Sequence, residues 1–196
     1  MGEIPQKRWE LKTKNGYEFL EVVSTLQKTI RRGLIEDSFY WALELSEGGY
    51  HPYLWNRLKV IANEDIGIAD PLAIILIHTL AEEYHDFIKD KKRQGSARLC
   101  LANAILYLCR AKKTRAADDL QGYIRMGRDH GTIELKQIPD YGLDKHTKRG
   151  RMMGRKWDHW IEEGCKLINE NKTINKWASK ANQLRKKGEK NKLFDD

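Results

Sequence analysis

The chain has 196 residues, 40% of them hydrophobic and 33% charged, with a formal net charge of +8, which is enough for one domain with a core and a charged exterior. Its two longest apolar runs, 71–80 and 99–108, reach about half of the roughly 20 residues that a bilayer span needs, so no membrane partner is expected. Residues 1–90 carry 10 Lys and Arg against 15 Asp and Glu, whereas residues 91–196 carry 26 against 13. A basic half of this kind suits a polyanionic partner, most commonly nucleic acid, although a merely solvated basic face remains the alternative.

In chain order, residues 1–16 read as an N-terminal extension without the apolar segment of a leader, and Gln6 stands where a myristoylation site wants Ser or Thr. The stretch YEFLEVVSTLQKTIRRG places Phe19, Val23, Leu26 and Ile30 on one helical face, with Gly33 as the stop. A second helix, EDSFYWALELSEGG, offers Asp37 or Ser38 as its N-cap and ends at Gly48-Gly49. The third has Pro52 in its first turn and Leu54, Leu58 and Ile61 on one side, running toward Gly67.

A fourth helix begins at ADPLA. There Asp70 is expected to cap the first turn, Pro71 to occupy its first position, and Gly67 to be the left-handed stop of the helix before. Glu64 and Asp65 then fall at a helix C-terminus, where the helix dipole disfavours negative charge; a nearby cation, with Arg57 the candidate, is expected to offset them. A fifth helix, capped by Ser96, is apolar nearly all round and should be central, with Cys100 and Cys109 in its core. In the sixth, Leu120, Tyr123 and Ile124 are expected to face inward.

Helices of this kind with short connections imply an all-α fold, a compact bundle of about six helices over residues 17–131. Beyond it, residues 132–170 hold turn formers and many cations in a partly extended basic segment, with a short helix containing Trp157, Trp160 and Ile161 packed on the bundle. Residues 171–196 read as a basic, mobile tail. The three cysteines are odd in number, widely spaced and without a CxxC pair, as suits reduced thiols in the cytoplasm.

The residues Tyr40-Trp41, Gly49, Pro52, Arg57-Leu58, Ala62, Glu64-Asp65-Ile66-Gly67 and Ala69-Asp70-Pro71 resemble a pattern in the C-terminal helical region of the MgsA/RarA-type replication-associated recombination AAA+ ATPases. The likeness covers roughly residues 17–125, and Glu-Asp-Ile-Gly followed by Ala-Asp-Pro is its most specific part. It implies a helical oligomerisation module, tetrameric in that family, working in replication and repair. The family's Pro-Lys-Ser-Asn element is replaced by the more basic Lys112-Lys113-Thr114-Arg115, and no GxxxxGK[ST] phosphate cradle occurs in these residues. The resemblance therefore does not carry ATP hydrolysis to these residues, and no nucleotide or metal cofactor is expected.

The densest chemistry lies in DKHTKRGRMMGRKWDHW. Here Lys145, Lys148, Arg149, Arg151, Arg155 and Lys156 alternate with Gly150 and Gly154, and Trp157 follows; cations neutralise phosphates and an aromatic ring can stack on a base. Lys112, Lys113, Arg115, Arg125 and Arg128 form a second candidate nucleic-acid surface. The expected partners are DNA, further copies of the chain, and a separately encoded AAA+ ATPase or replication protein. Two alternatives stand beside this. One is a metal-dependent nucleic-acid-processing enzyme using His146, Asp158, His159 and Glu162; the other is a pure protein–protein adaptor. His78, Glu82 and His85 share a helical face at possible metal spacing, but that face is opposite the apolar stripe and is expected to be solvated.

Overall fold

The structure is a computed structural model that describes residues 11–191. It divides into two compact units, between Ile133 and Glu134. Among the described residues the fold is all-α, with no strand and a single isolated bridge between Lys12 and Glu18.

The first unit contains the six expected helices: α1 (Phe19–Arg32), α2 (Ile35–Glu47), α3 (His51–Ile61), α4 (Leu72–Ile88), α5 (Gln94–Arg110) and α6 (Ala116–Asp129). The α1 stripe is fully inside, with Phe19, Val23, Leu26 and Ile30 at 3% exposure or less. Gly33 ends α1 in the left-handed conformation, as expected. α1 lies along α2, and α4 along α5, with α3 bridging toward α1, α2 and α4. Leu54, Trp55, Leu58 and Ile61 of α3, Ala73, Ile77 and Tyr84 of α4, and Leu101, Ala104 and Leu108 of α5 complete one apolar core. Cys100 and Cys109 sit at 5% and 6% exposure, both as free thiols.

Several local expectations are corrected. α2 starts earlier than Asp37 or Ser38, because the chain turns directly out of Gly33-Leu34; the Ser38 hydroxyl instead donates to the Leu34 carbonyl at 2.6 Å. α5 starts before Ser96, at Gln94, continuing a tight turn over Lys91–Arg93 in which the Lys92 amide donates to the Asp90 carboxylate at 2.9 Å. α5 is not buried all round: Leu99 is 65% exposed and Leu106 is 37% exposed.

The largest correction concerns α6. Leu120, Tyr123 and Ile124 face outward, Leu120 and Tyr123 at more than 60% exposure, while the turn over 62–69 packs beside this helix and Thr132 and Ile133 fold back onto its Gly127. A 3.6-residue period defines an apolar face without defining what covers it.

The second unit has no regular structure over 134–139. A tight turn, Asp140–Gly142, leads to the short helix α7 (Lys148–Met152). Trp157–His159 (α8) runs on into a wider turn over Trp160–Gly164. Residues read as a mobile tail form α9, Ala178–Asn191. The first part of the N-terminal extension and the last five residues of the tail lie outside the described residues. Among those described, no helix is long and apolar enough to cross a membrane.

Candidate nucleic-acid interface

The acidic turn between α3 and α4 is the organising element of the first unit. At Ala62 the helix widens by one residue into a π-turn, Ala62–Ile66, which aims both carboxylates at α1. Asp65 is 2% exposed and accepts from Arg31 Nε at 2.7 Å and Gln27 Nε2 at 2.9 Å. Arg31 also reaches Glu64 at 2.9 Å. From the other side Arg115 meets Glu64 at 3.0 Å and Asp65 at 3.2 Å, and it also pairs with Asp118. The Thr114 amide donates to the Asp65 carbonyl at 2.9 Å. Two carboxylates thus tie α1 to the entry of α6. Burial would raise the Glu64 pKa, but hydrogen bonds from Gln27 and Arg115 and the charges of Arg31 and Arg115 outweigh it and hold the group below its ordinary range.

Arg57 does not make these pairs. It sits near Gln27 Oε1 and Tyr53, each at 3.4 Å, so the offsetting cations are Arg31 and Arg115. Gly67 does not adopt the left-handed helical conformation either. Its φ of 48° and ψ of −128° fall where side chains are strained, and this sharp reversal closes the π-turn. Asp70 caps nothing with its side chain: Pro71 takes the cap position, and the Asp70 carboxylate accepts from Tyr107 on α5 at 2.9 Å. All five residues of the motif, Glu64, Asp65, Gly67, Asp70 and Pro71, are accounted for by shaping the α3–α4 connection.

In the first unit's cation set, Arg115 is engaged by the acidic turn. Lys113 donates to the carbonyls of Cys109 and Ala111 at 2.8 and 3.1 Å, and partial burial lowers its pKa. Arg125 lies 3.8 Å from Asp129. Lys112 and Arg128 are exposed and have no ion pair among the described residues.

In the second unit, Gly150 allows an extreme approach: a Cβ there would lie 1.8 Å from the Asp144 carbonyl oxygen. Thr147 caps α7 at the Gly150 amide, 3.0 Å. Arg155 is an internal strut, donating to the Asp140 and Leu143 carbonyls at 2.7 and 3.0 Å and pairing with the Asp140 carboxylate. That pairing holds the Asp140 pKa below its ordinary value. By contrast Lys148, Arg149, Arg151 and Lys156 are exposed, with no ion pair among the described residues. Lys145 lies 3.5 Å from the Trp157 ring centroid, and Arg185 lies 5.4 Å from it and 4.9 Å from that of Trp160. Trp157 and Trp160 meet edge to face at 5.3 Å. The Trp157 ring is therefore half-buried and engaged by protein cations.

The residues of the hydrolytic alternative are engaged by other partners. His146 pairs with Asp144 at 2.9 Å, His159 with Asp140 at 3.3 Å and Arg155 at 2.8 Å, and Asp158 with Lys186. His78 and Glu82 face solvent, as expected, whereas His85 is half-buried with its ring 5.8 Å from that of Tyr84. No group of three or more His, Cys, Asp or Glu side chains among the described residues is placed to hold a metal ion. The spacing did not point to Arg31 and Gln27, although their i, i+4 separation on α1 beside buried Leu26 and Ile30 was an available signal.

A six-helix unit pinned by the Glu64–Asp65 ion-pair cluster, followed by a small cationic unit, defines an all-α helical protein. The family described as "MgsA AAA+ ATPase C terminal" matches residues 35–186, and the chain belongs to it. It is 30% identical over 176 residues to the replication-associated recombination protein A of Bacillus subtilis (strain 168), covering 82% of this chain and 39% of that protein. The protein of the same name from Haemophilus influenzae is 29% identical over 136 residues, covering 69% and 28%. The ATPase WRNIP1 of Dictyostelium discoideum is 29% identical over 126 residues, covering 64% and 14%. The chain thus spans about two-fifths or less of the length of these curated relatives, and the resemblance read from the Glu-Asp-Ile-Gly and Ala-Asp-Pro element is borne out.

Proposed function

We propose that this chain is a non-catalytic, self-associating helical module in DNA replication, recombination and repair that binds DNA through exposed cations. The observation that carries this reading is the division of labour among the basic residues. Arg115 and Arg155 are engaged by carboxylates and carbonyls of the fold. Lys148, Arg149, Arg151 and Lys156, with Lys112 and Arg128 of the first unit, carry no ion pair among the described residues. Exposed cations of this sort release counterions from a polyanion on binding, whereas engaged ones do not. We assign Arg115 and Arg155 to the architecture and the exposed cations of each unit, taken separately, to DNA contact.

Self-association, with the tetramer as the expected form, is supported by the uncovered side of α6 and by Leu72 and Ile75 of α4, both more than 60% exposed. An AAA+ ATPase or replication protein is the natural partner for a module whose relatives are named as recombination proteins and ATPases. Light scattering for mass, and anisotropy titrations with forked and single-stranded DNA at several salt concentrations, test the reading. A monomer that binds no DNA at low salt contradicts it. Binding of an acidic protein without DNA binding would favour the adaptor.

A further inference from the structure

The second unit contains a cleft of about 920 Å³ between the Trp160–Gly164 turn, the following loop and α9. That volume lies within the range of ligand sites. Trp160 and Trp177 are on its wall with Lys172 and Arg185, while Lys166 is paired with Glu163 at 2.8 Å and Glu170 is the carboxylate of the lining. Arg185 already lies over Trp160. Trp177 is more open: the residue is 61% exposed, and Lys176 lies 5.1 Å from its ring centroid.

A planar apolar surface within a cationic wall matches one ligand chemistry, an aromatic base joined to a phosphate. A duplex hides its base faces in the stack, so only an unpaired strand or a free nucleotide can present one. We propose that this cleft seats an unstacked nucleotide of a single strand, with the base on Trp177 and the adjoining phosphate against Lys172. The proposal rests on the nucleic-acid reading above and adds to it a site and a preference for unpaired strands. The sequence directed attention to Trp157, but Lys145 and Arg185 already engage that ring.

The test uses the full chain with fluorescent oligo(dT), a hairpin duplex of equal charge, and free dTMP as competitor. Replacing a base-stacking aromatic costs about tenfold in affinity. Trp177→Ala is therefore expected to weaken oligo(dT) binding about tenfold and duplex binding less than twofold, and Trp177→Phe to retain most of the single-strand affinity. The oligomer is expected to bind at least a hundredfold more tightly than dTMP. Equal losses for both nucleic acids, or no loss with oligo(dT), overturn the cleft while leaving the cationic-surface reading in place. A dTMP affinity matching that of the oligomer overturns the strand as ligand. Failure of the unaltered chain to bind either nucleic acid overturns the cleft and the DNA reading together. Circular dichroism of both variants separates loss of contact from loss of fold.

Discussion

Asp65, 2% exposed, receives Arg31 Nε at 2.7 Å, so a charge on the α3–α4 turn is neutralised by one on α1 inside the first unit. Removing the Asp65 carboxylate strips Gln27 and Arg31 of their buried acceptor, but Arg31 is 32% exposed and keeps Glu64 at 2.9 Å, so the cost is about 1–3 kcal/mol, below that of a fully buried pair. Asp65→Ala is expected to lose an amount of this order in urea unfolding. A loss under about 1 kcal/mol would mean that the cluster does not hold the unit together.

Acid should weaken the same cluster. Glu64 has a folded pKa below its unfolded value, so the unfolded chain binds more protons across that window and stability rises with pH there. The contribution is full above the ordinary glutamate value of about 4.3 and is lost as pH falls through the folded one. The stability difference between the unaltered chain and Glu64→Gln is therefore expected to be larger at pH 7 than at pH 3. Urea midpoints at the two values measure it, and an unchanged difference contradicts the assignment.

Gly150 gives a test confined to the second unit. Its Cβ position is 1.8 Å from the Asp144 carbonyl oxygen, backbone that cannot rotate away. Overpacking of this kind costs about 1–3 kcal/mol. Gly150→Ala is expected to reduce the near-ultraviolet dichroism of the Trp157–Trp160 pair and to leave the far-ultraviolet helical signal largely intact. Full retention of the aromatic signal would show that the turn relaxes without cost.

What the sequence made legible follows from which forces are local. Phe19, Val23, Leu26 and Ile30 could be read because burial repeats with the helix period, and Gly33 because a stop is a backbone property. The partner of Asp65 could not be read that way. Arg57 is nearer in sequence, but Arg31 wins because α1 lies across the widened turn, a long-range fact. The outward face of α6 was misassigned for a related reason: amphipathicity shows that Leu120 and Tyr123 need cover without naming its source. The cations were visible in the sequence, but not that Arg155 spends its donors on Asp140 and Leu143.

The uncovered side of α6 leads to a prediction about mass. Leu120→Lys with Tyr123→Lys removes apolar surface that is already solvent-exposed in the isolated chain, so folding should be retained. The double variant is expected to shift toward monomer in light scattering at concentrations where the unaltered chain is oligomeric. Unchanged mass would place the contact elsewhere.

The most direct test of the central claim is the salt dependence of DNA affinity, comparing the unaltered chain with Lys148→Ala/Arg149→Ala/Arg151→Ala and with Arg115→Ala. Each phosphate neutralised on duplex contributes about −0.9 to the slope of log affinity against log salt. The account predicts a steep slope that the triple variant reduces by about 2–3 and that Arg115→Ala leaves nearly unchanged. A flat dependence in the unaltered chain, or a slope that Arg115→Ala alone abolishes, would contradict it.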